Sequence, residues 1–236
     1  MRVLELFKGT GSISKAIGRV CPGADVTSVD IVPRYKPTHL VDILKFDYKQ
    51  YKPGHFDFIW ASPPCTSYSK MQDIASKHKS KAEREDMMKE GDKFIQRTLD
   101  IIDYFKPRIG WLLENPATGY LPRRDILKPY KFVDTTYCMY GYPYMKRTRI
   151  WGSVNLISKL NLKHCKKNKQ YCSENVKKTK KHEYSIGISR TGSEYEKQID
   201  GEYLNKPEYN TLDFKYSIPP DLCDFIMTKV YGLWTQ

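Results

Sequence analysis

"RVLELFKGTGS", Arg2 to Ser12, decides how the rest of the chain is read. An apolar run broken by one carboxylate gives way to a glycine turn, and then to a serine that can open a helix. Apolar residues on both faces mark a strand buried in a parallel sheet. Glycines between a strand and a helix let a ligand approach the backbone, and the helix N-terminus turns free N–H groups toward it. A helix is expected from about Ser12. The second strand is "DVTSVDIV" (Asp25–Val32), with Asp30 near its end. A carboxylate at that place in an α/β fold holds ribose hydroxyls. The glycine pattern is Phe-x-Gly-x-Gly, without the third glycine of a dinucleotide fingerprint. Loop and aspartate together, more than either alone, point to a nucleoside-bearing ligand.

The alternation continues downstream. "HLVDIL" (His39–Leu44) and "FDFIWAS" (Phe56–Ser62) read as strands. From about Ser80 to Phe105 the chain reads as a helix, with Met88, Ile95, Leu99 and Ile102 at helical spacing. Pro107 closes it. "IGWLLEN" is the next strand, stopped by Pro116, and "KFVDTTYCMYG" and "RTRIWGSV" are two more. A final amphipathic helix carries Leu222, Phe225, Ile226 and Val230, with Pro219 and Pro220 at its start, where a missing N–H costs little. Strands alternating with helices predict a mostly parallel, doubly wound α/β sheet with ligands at the strand carboxyl ends.

Between Asn155 and Lys215 the chain turns lysine-rich and poor in apolar runs. The expected organisation is a catalytic domain of 1–152 plus 216–236, interrupted by a small irregular module of 153–215. The 236 residues suit one domain with such an appendage, and 40 basic against 27 acidic residues give a net charge of +13. That excess suits a polyanionic partner, nucleic acid first. No apolar run reaches the roughly 18 residues of a membrane span. The opening lacks the pattern of a signal peptide, and six scattered cysteines do not resemble a secreted disulfide framework. A reducing compartment is expected.

Three further stretches carry chemistry. In "ASPPCTSYSK" (Ala61–Lys70) two prolines stiffen the chain where a strand ends and a cysteine follows them. Such a scaffold aims Cys65, whereas a cysteine that only fills space needs none. In "LLENP" Glu114 ends an apolar strand, where its carboxyl is shielded from water and placed to share a proton. In "YMKRTRIW" alternation sends Arg147 and Arg149 to one strand face, and Lys146 and Thr148 to the other. Each alone has a plainer reading: an inert thiol, a solvated carboxylate, a basic edge strand.

In order, Phe-x-Gly-x-Gly, an acidic strand end, Pro-Pro-Cys, Glu-Asn and Arg-x-Arg resemble the cytosine carbon-5 DNA methyltransferases, over residues 2 to 152 and more loosely 216 to 234. The Pro-Pro-x-Leu ending looks like compact phage and viral members. The resemblance implies a Rossmann-like, S-adenosylmethionine-dependent methyltransferase fold, with 153–215 as target-recognition module. It implies a donor pocket built by Phe7, Gly9, Gly11, Ile31 and Pro63, with Asp30 at the ribose and Asp42 and Ile43 at the adenine. Cys65 would be the nucleophile, Glu114 and Asn115 the base-binding pair, and Arg147 and Arg149 the groups that fix the base. The implied partner is double-stranded DNA, reached by a monomeric chain with no membrane association. The stretch from Thr66 to Lys81 would close over the flipped base, with Ser69, Lys77, Lys79 and Lys81 near phosphates.

Thr66, Met145 and Pro116 stand where the family usually has glutamine, glutamine and valine. A transfer-RNA cytosine methyltransferase and a non-catalytic DNA-binding relative are the rival readings. An amino-methyltransferase fits less well, because Ser62 and Cys65 flank Pro-Pro where those enzymes carry Asp or Asn and an aromatic. Cys165, Cys172 and His182 could supply three metal ligands, with His164 or another cysteine as the fourth. Their spacing matches no standard zinc finger, so free thiols are the preferred reading and no metal is expected.

Overall fold

The computed structural model describes residues 1–70, 80–142, 144–166, 172–173, 177–178, 182, 213 and 216–236. Seven strands form one sheet: β1 (Arg2–Leu6), β2 (Asp25–Asp30), β3 (His39–Leu40), β4 (Phe58–Ala61), β5 (Gly110–Pro116), β6 (Lys131–Thr136) and β7 (Arg147–Gly152). Their order is β3-β2-β1-β4-β5-β7-β6. Only β7 runs against its neighbours, β5 and β6; the other pairings are parallel. The order reverses between β1 and β4, so the connections leaving their carboxyl ends run to opposite faces of the sheet and leave a crevice.

Strand parity sorts the core into two faces. Val3, Phe58, Trp60, Leu112 and Ile150 face one way and pack with Ile13 and Ile17 of helix α1 (Ser12–Val20) and with Leu222, Ile226 and Val230 of the C-terminal helix. Leu4, Leu6, Ile59, Ala61, Leu113 and Trp151 face the other way, against Ile95, Ile101, Ile102 and Phe105 of helix α2 (Lys81–Phe105). A short helix α3 (Val154–Ile157) follows β7, and helix α4 (Pro220–Trp234) ends the chain beside α1. Arg19 of α1 makes a bidentate ion pair with Asp224 of α4, at 2.7 to 3.1 Å.

Several expected boundaries hold. Helix α1 begins at Ser12 behind Gly11, which sits at φ 69°. Helix α2 begins behind a capping box: the Glu83 N–H donates to Ser80 Oγ, and the Ser80 N–H donates to Glu83 Oε2. Other boundaries shift. The strand expected over His39–Leu44 stops at Leu40, because Asp42 turns the chain by accepting the Leu44 N–H at 2.9 Å. The strand expected through Gly141 stops at Thr136, and Tyr137–Tyr140 coil into a 3₁₀ turn.

The six cysteines are unbonded. Among the described residues no helix is long and apolar enough to cross a membrane. Lys77 and Lys79 lie outside the described residues, as does most of 153–215.

The loop after β4 packs tightly on α2. A Cβ added at Gly91 of α2 would lie 2.8 Å from Tyr68 Cζ and 2.9 Å from Ser67 Cβ. Gly18 of α1 faces open space. Replacing a helical glycine by alanine normally stabilises by roughly 1 kcal/mol, and overpacking costs about 1–3 kcal/mol. Gly18→Ala is therefore expected to raise stability in urea unfolding, and Gly91→Ala to lower it. Two changes of the same sign would contradict the packing described.

Candidate functional site

A cavity of about 370 Å³ opens at the carboxyl ends of β1, β2, β4 and β5. The glycine loop supplies one wall with Phe7, Lys8, Gly9 and Thr10. Phe7 holds a left-handed backbone, φ 59°, unusual for a bulky residue. Its ring meets Phe94 of α2 edge-on at 6.4 Å. Asp30 binds the loop directly: Oδ2 accepts the Gly9 N–H at 2.7 Å and Oδ1 the Val32 N–H at 2.8 Å. Ile31, Val41, Asp42 and Ile43 continue this end. Ile31 is 64% exposed, a large apolar surface facing solvent at a cavity edge. Gly11, expected in the wall, is absent from it. Its left-handed backbone caps α1, and only Gly9 remains to line the space.

The other end is built from β4 and β5. The Trp60 indole N–H donates to Ser62 Oγ at 2.7 Å, fixing the exit from β4. The chain then runs through Pro63 and Pro64 to Cys65, which begins a 3₁₀ turn at Thr66–Tyr68. Asn115 Nδ2 donates to the Pro63 carbonyl at 2.8 Å, tying this elbow to β5. The Tyr68 hydroxyl donates to Asp92 of α2 at 2.9 Å, and the Tyr120 N–H donates to the Tyr68 carbonyl at 2.8 Å. Arg124 spans Asp92 and Glu85, holding α2 to the loop that follows β5. The cysteine is thus fixed from β5, α2 and its own turn.

Glu114 lies beside it, 6% exposed. Its Oε1 accepts two buried hydroxyls, from Thr148 at 2.6 Å and Tyr137 at 3.1 Å. Burial pushes the Tyr137 phenol well up, so it stays a donor. Among the described residues no hydrogen bond reaches Oε2, which leaves it for a ligand. Burial also pushes the Cys65 thiol up. Lys146 opposes that shift and Glu114 adds to it.

The structure therefore brings together Cys65, Glu114, Asn115, Phe7, Gly9, Asp30, Ile31, Asp42, Ile43 and Pro63 in one cavity wall. It does not bring in Arg147 and Arg149. Glu114 pairs with Ile150 and Asn115 with Arg149, so Thr148 and Ile150 share the face of Glu114. Arg149 points to the opposite face, donates to Asp134 of β6 at 2.7 and 2.9 Å, and stacks over Phe132 at 3.6 Å. Arg147 is exposed. The alternation seen in the sequence is real, but Lys146 and Thr148 occupy the side that meets the cavity and its carboxylate. Glu5, Trp60, Lys146, Tyr216 and Ile218 also line the space and were not singled out from sequence. The lone carboxylate in "RVLELF" was the available signal for Glu5.

No family model matches the chain. A protein of Frog virus 3 (isolate Goorha), named "Probable DNA (cytosine-5)-methyltransferase", is 36% identical over 163 residues, covering 65% of this chain and 71% of that protein. Among solved structures, a protein encoded within an E. coli prophage, provisionally assigned as a DNA modification methyltransferase, superimposes with a TM-score of 0.52. The sequences are 13% identical and 100% of each chain is covered, a likeness of fold. A methyltransferase of Entamoeba histolytica gives a TM-score of 0.49 at 17% identity, over 65% of this chain and 53% of that one.

Two outcomes follow from the electrostatics of the site. Iodoacetamide reacts with the thiolate, so the pH profile of Cys65 alkylation, followed at its own peptide, reports the thiol. Lys146→Gln removes a charge that favours the thiolate and is expected to move the profile to higher pH. Glu114→Gln removes one that opposes it and is expected to move the profile to lower pH. Profiles unmoved by both would rule out the coupling.

Glu5 gives the second. Burial raises its carboxyl from 4.5 to about 7, although the Ser14 hydroxyl and Lys8 pull it down. The folded state thus keeps a proton that the unfolded chain has released. This contribution to stability is complete below the unfolded value and is lost as pH rises through about 7. At roughly 1.4 kcal/mol per unit, Glu5→Gln is expected to stabilise by on the order of 3 kcal/mol above about pH 8, and far less near pH 4.5. Urea unfolding at both pH values checks it, and equal effects at both would refute it.

Proposed function

The chain belongs to the DNA (cytosine-5)-methyltransferase family, and its reaction is that family's, methyl transfer to carbon 5 of cytosine. From that premise we propose that Cys65 is the nucleophile, Glu114 the acid facing ring nitrogen 3, S-adenosylmethionine the donor, and a cytosine turned out of double-stranded DNA the substrate. One observation carries the reading: Cys65 and Glu114 line the same cavity as the glycine loop and Asp30.

S-adenosylmethionine supplies an electrophilic methyl group on a sulfonium. The walls fit such a molecule. Asp30 keeps acceptor capacity beyond its two backbone bonds, enough for ribose hydroxyls. Ile31, Val41 and Ile43 offer an apolar seat for the adenine. Gly9 keeps the wall low where the chain must pass closest, and Pro63 leads from that seat to the cysteine.

At the other end Cys65 attacks carbon 6 of the base, and a carbon–sulfur bond forms. The electron pair displaced from the 5,6 double bond is stabilised while Glu114 protonates or hydrogen-bonds ring nitrogen 3. Thr148 and Tyr137 hold Oε1, so Oε2 is the atom presented to the ring. Carbon 5, now enamine-like, would take the methyl group as that group's bond to the donor sulfur breaks, and a neutral thioether would leave. A base, with water as the simplest candidate, removes the carbon-5 proton, and the thiolate leaves. Lys146 favours that thiolate. A stacked cytosine hides both faces, so it must leave the duplex first, at a cost of a few kcal/mol. The net charge of +13 supports phosphate contacts. Exposed Arg147 would make one of them, whereas Arg149 would act by pinning β6 to β7 through Asp134.

Labelled donor incubated with duplex DNA or with transfer RNA tests the substrate. Label at carbon 5 of DNA cytosine is expected, and label confined to RNA would overturn the DNA assignment. Duplex containing 5-fluorocytosine should trap the protein, because fluorine cannot leave as a proton. Cys65→Ser should abolish the adduct, and an undiminished adduct would exclude Cys65. Glu114→Gln should keep donor binding and lose about 10²–10⁴ in turnover. Asp30→Ala should weaken donor binding first.

A further inference from the structure

Beyond the turn that follows β6, and outside the cavity lining, Cys138, Cys165, Cys172 and His182 converge. Their four candidate ligand atoms all lie within 4.8 Å of one another. His182 Nε2 is 3.2 Å from Cys172 Sγ and 3.8 Å from Cys165 Sγ. A tetrahedral zinc site with Zn–S of about 2.3 Å and Zn–N of about 2.0–2.1 Å sets its ligands roughly 3.5–3.8 Å apart. Three soft thiolates and an imidazole are a donor set for zinc rather than for a hard cation. We propose that Cys138, Cys165, Cys172 and His182 bind a structural zinc ion.

The surroundings are built for it. Cys138 and Cys165 are buried, at 6% and 4% exposure, beside Met139 and Met145. Thr136 accepts the Cys165 backbone N–H at 2.8 Å and also hydrogen-bonds the Cys138 thiol, so one hydroxyl steadies two ligands. The segment carrying Cys165 is stitched down around it. The Lys163 carbonyl accepts the Thr135 hydroxyl at 2.7 Å, and the Lys163 N–H donates to the Tyr140 hydroxyl at 2.9 Å. Four ligands close the tetrahedron and leave no open position, the mark of a structural site.

The sequence hid this site for two reasons. Cys138 belongs to the turn between β6 and β7, far upstream of the other three, and no tight cysteine pair announces it. The lysines around Cys165 and Cys172 also argue against a bare cation. Three thiolates around one zinc leave a net negative complex, however, and Lys163 and Lys166 beside it then favour binding. The ion would anchor the start of a polar insertion, with little apolar sequence of its own, to the turn that carries Tyr137. Small modules of this composition need such a staple.

The test is native mass spectrometry of the full chain, made without a histidine tag and with zinc present. One zinc per chain is expected, kept in Cys65→Ser and lost in Cys172→Ser and in His182→Ala. Should a variant fail to fold, cobalt(II) exchanged into the wild-type chain reads the same site. Intense tetrahedral d–d bands with a thiolate-to-metal charge-transfer band are expected. A folded, metal-free chain that takes up cobalt without those bands would overturn the proposal. A disulfide joining two of the three cysteines in freshly purified protein would do so as well. Neither readout depends on methyl transfer.

Discussion

A single buried hydrogen bond, from Asn115 Nδ2 to the carbonyl of Pro63, holds the Pro-Pro-Cys elbow against the strand that carries Glu114. The two strands already lie side by side, with Ala61 opposite Leu113. Parallel pairing ends there: the Ser62 N–H still donates to the Leu6 carbonyl at 3.3 Å, and the two prolines that follow have no N–H to extend a ladder. The prolines also narrow the chain's path by fixing φ. They leave carbonyls that need partners, and Asn115 supplies one from β5. A buried amide without its acceptor would cost about 1–3 kcal/mol. The same contact that stabilises the turn therefore sets how Cys65 approaches Glu114. Asn115 works from the strand face opposite Glu114, so neighbouring residues of one strand divide the two tasks.

What the sequence disclosed follows a physical line. Local chemistry was legible. The strand, glycine loop and helix of Arg2–Val20, the helix start near Ser80 and the proline stop after Phe105 each depend on residues near one another in the chain. The glycine-loop end of the cavity was legible for the same reason, because a glycine turn and an acidic strand end are local signals. Arg147 and Arg149 lie outside the cavity wall because their face is set by register. Alternation said that they share a side. Only the pairing of Glu114 with Ile150 says which side that is. Cys138 escaped notice for a related reason. It joins Cys165 and Cys172 through the packing of a turn against a distant segment, and no spacing rule covers that.

The charge distribution separates two kinds of recognition. The chain as a whole carries +13, yet the cavity wall holds Glu5, Asp30, Asp42 and Glu114 against Lys8 and Lys146. Lys8 is turned outward, its ammonium donating to the Lys36 carbonyl at 2.7 Å. Of the two lysines, Lys146 is the one that acts on the Cys65 thiol. A basic exterior draws a polyanion from a distance, and salt screens that attraction. An acidic interior suits a small cationic molecule and repels phosphate. The sulfonium donor proposed above would satisfy the second requirement and a nucleic acid the first. Glu5 sits where the two meet the core: buried, held near neutrality by desolvation, and bonded to Ser14 at the start of α1. A positive charge bound nearby would favour its ionised form. With such a charge in place the cost of burying that carboxylate would fall, which would couple its binding to the stability of the β1–α1 junction.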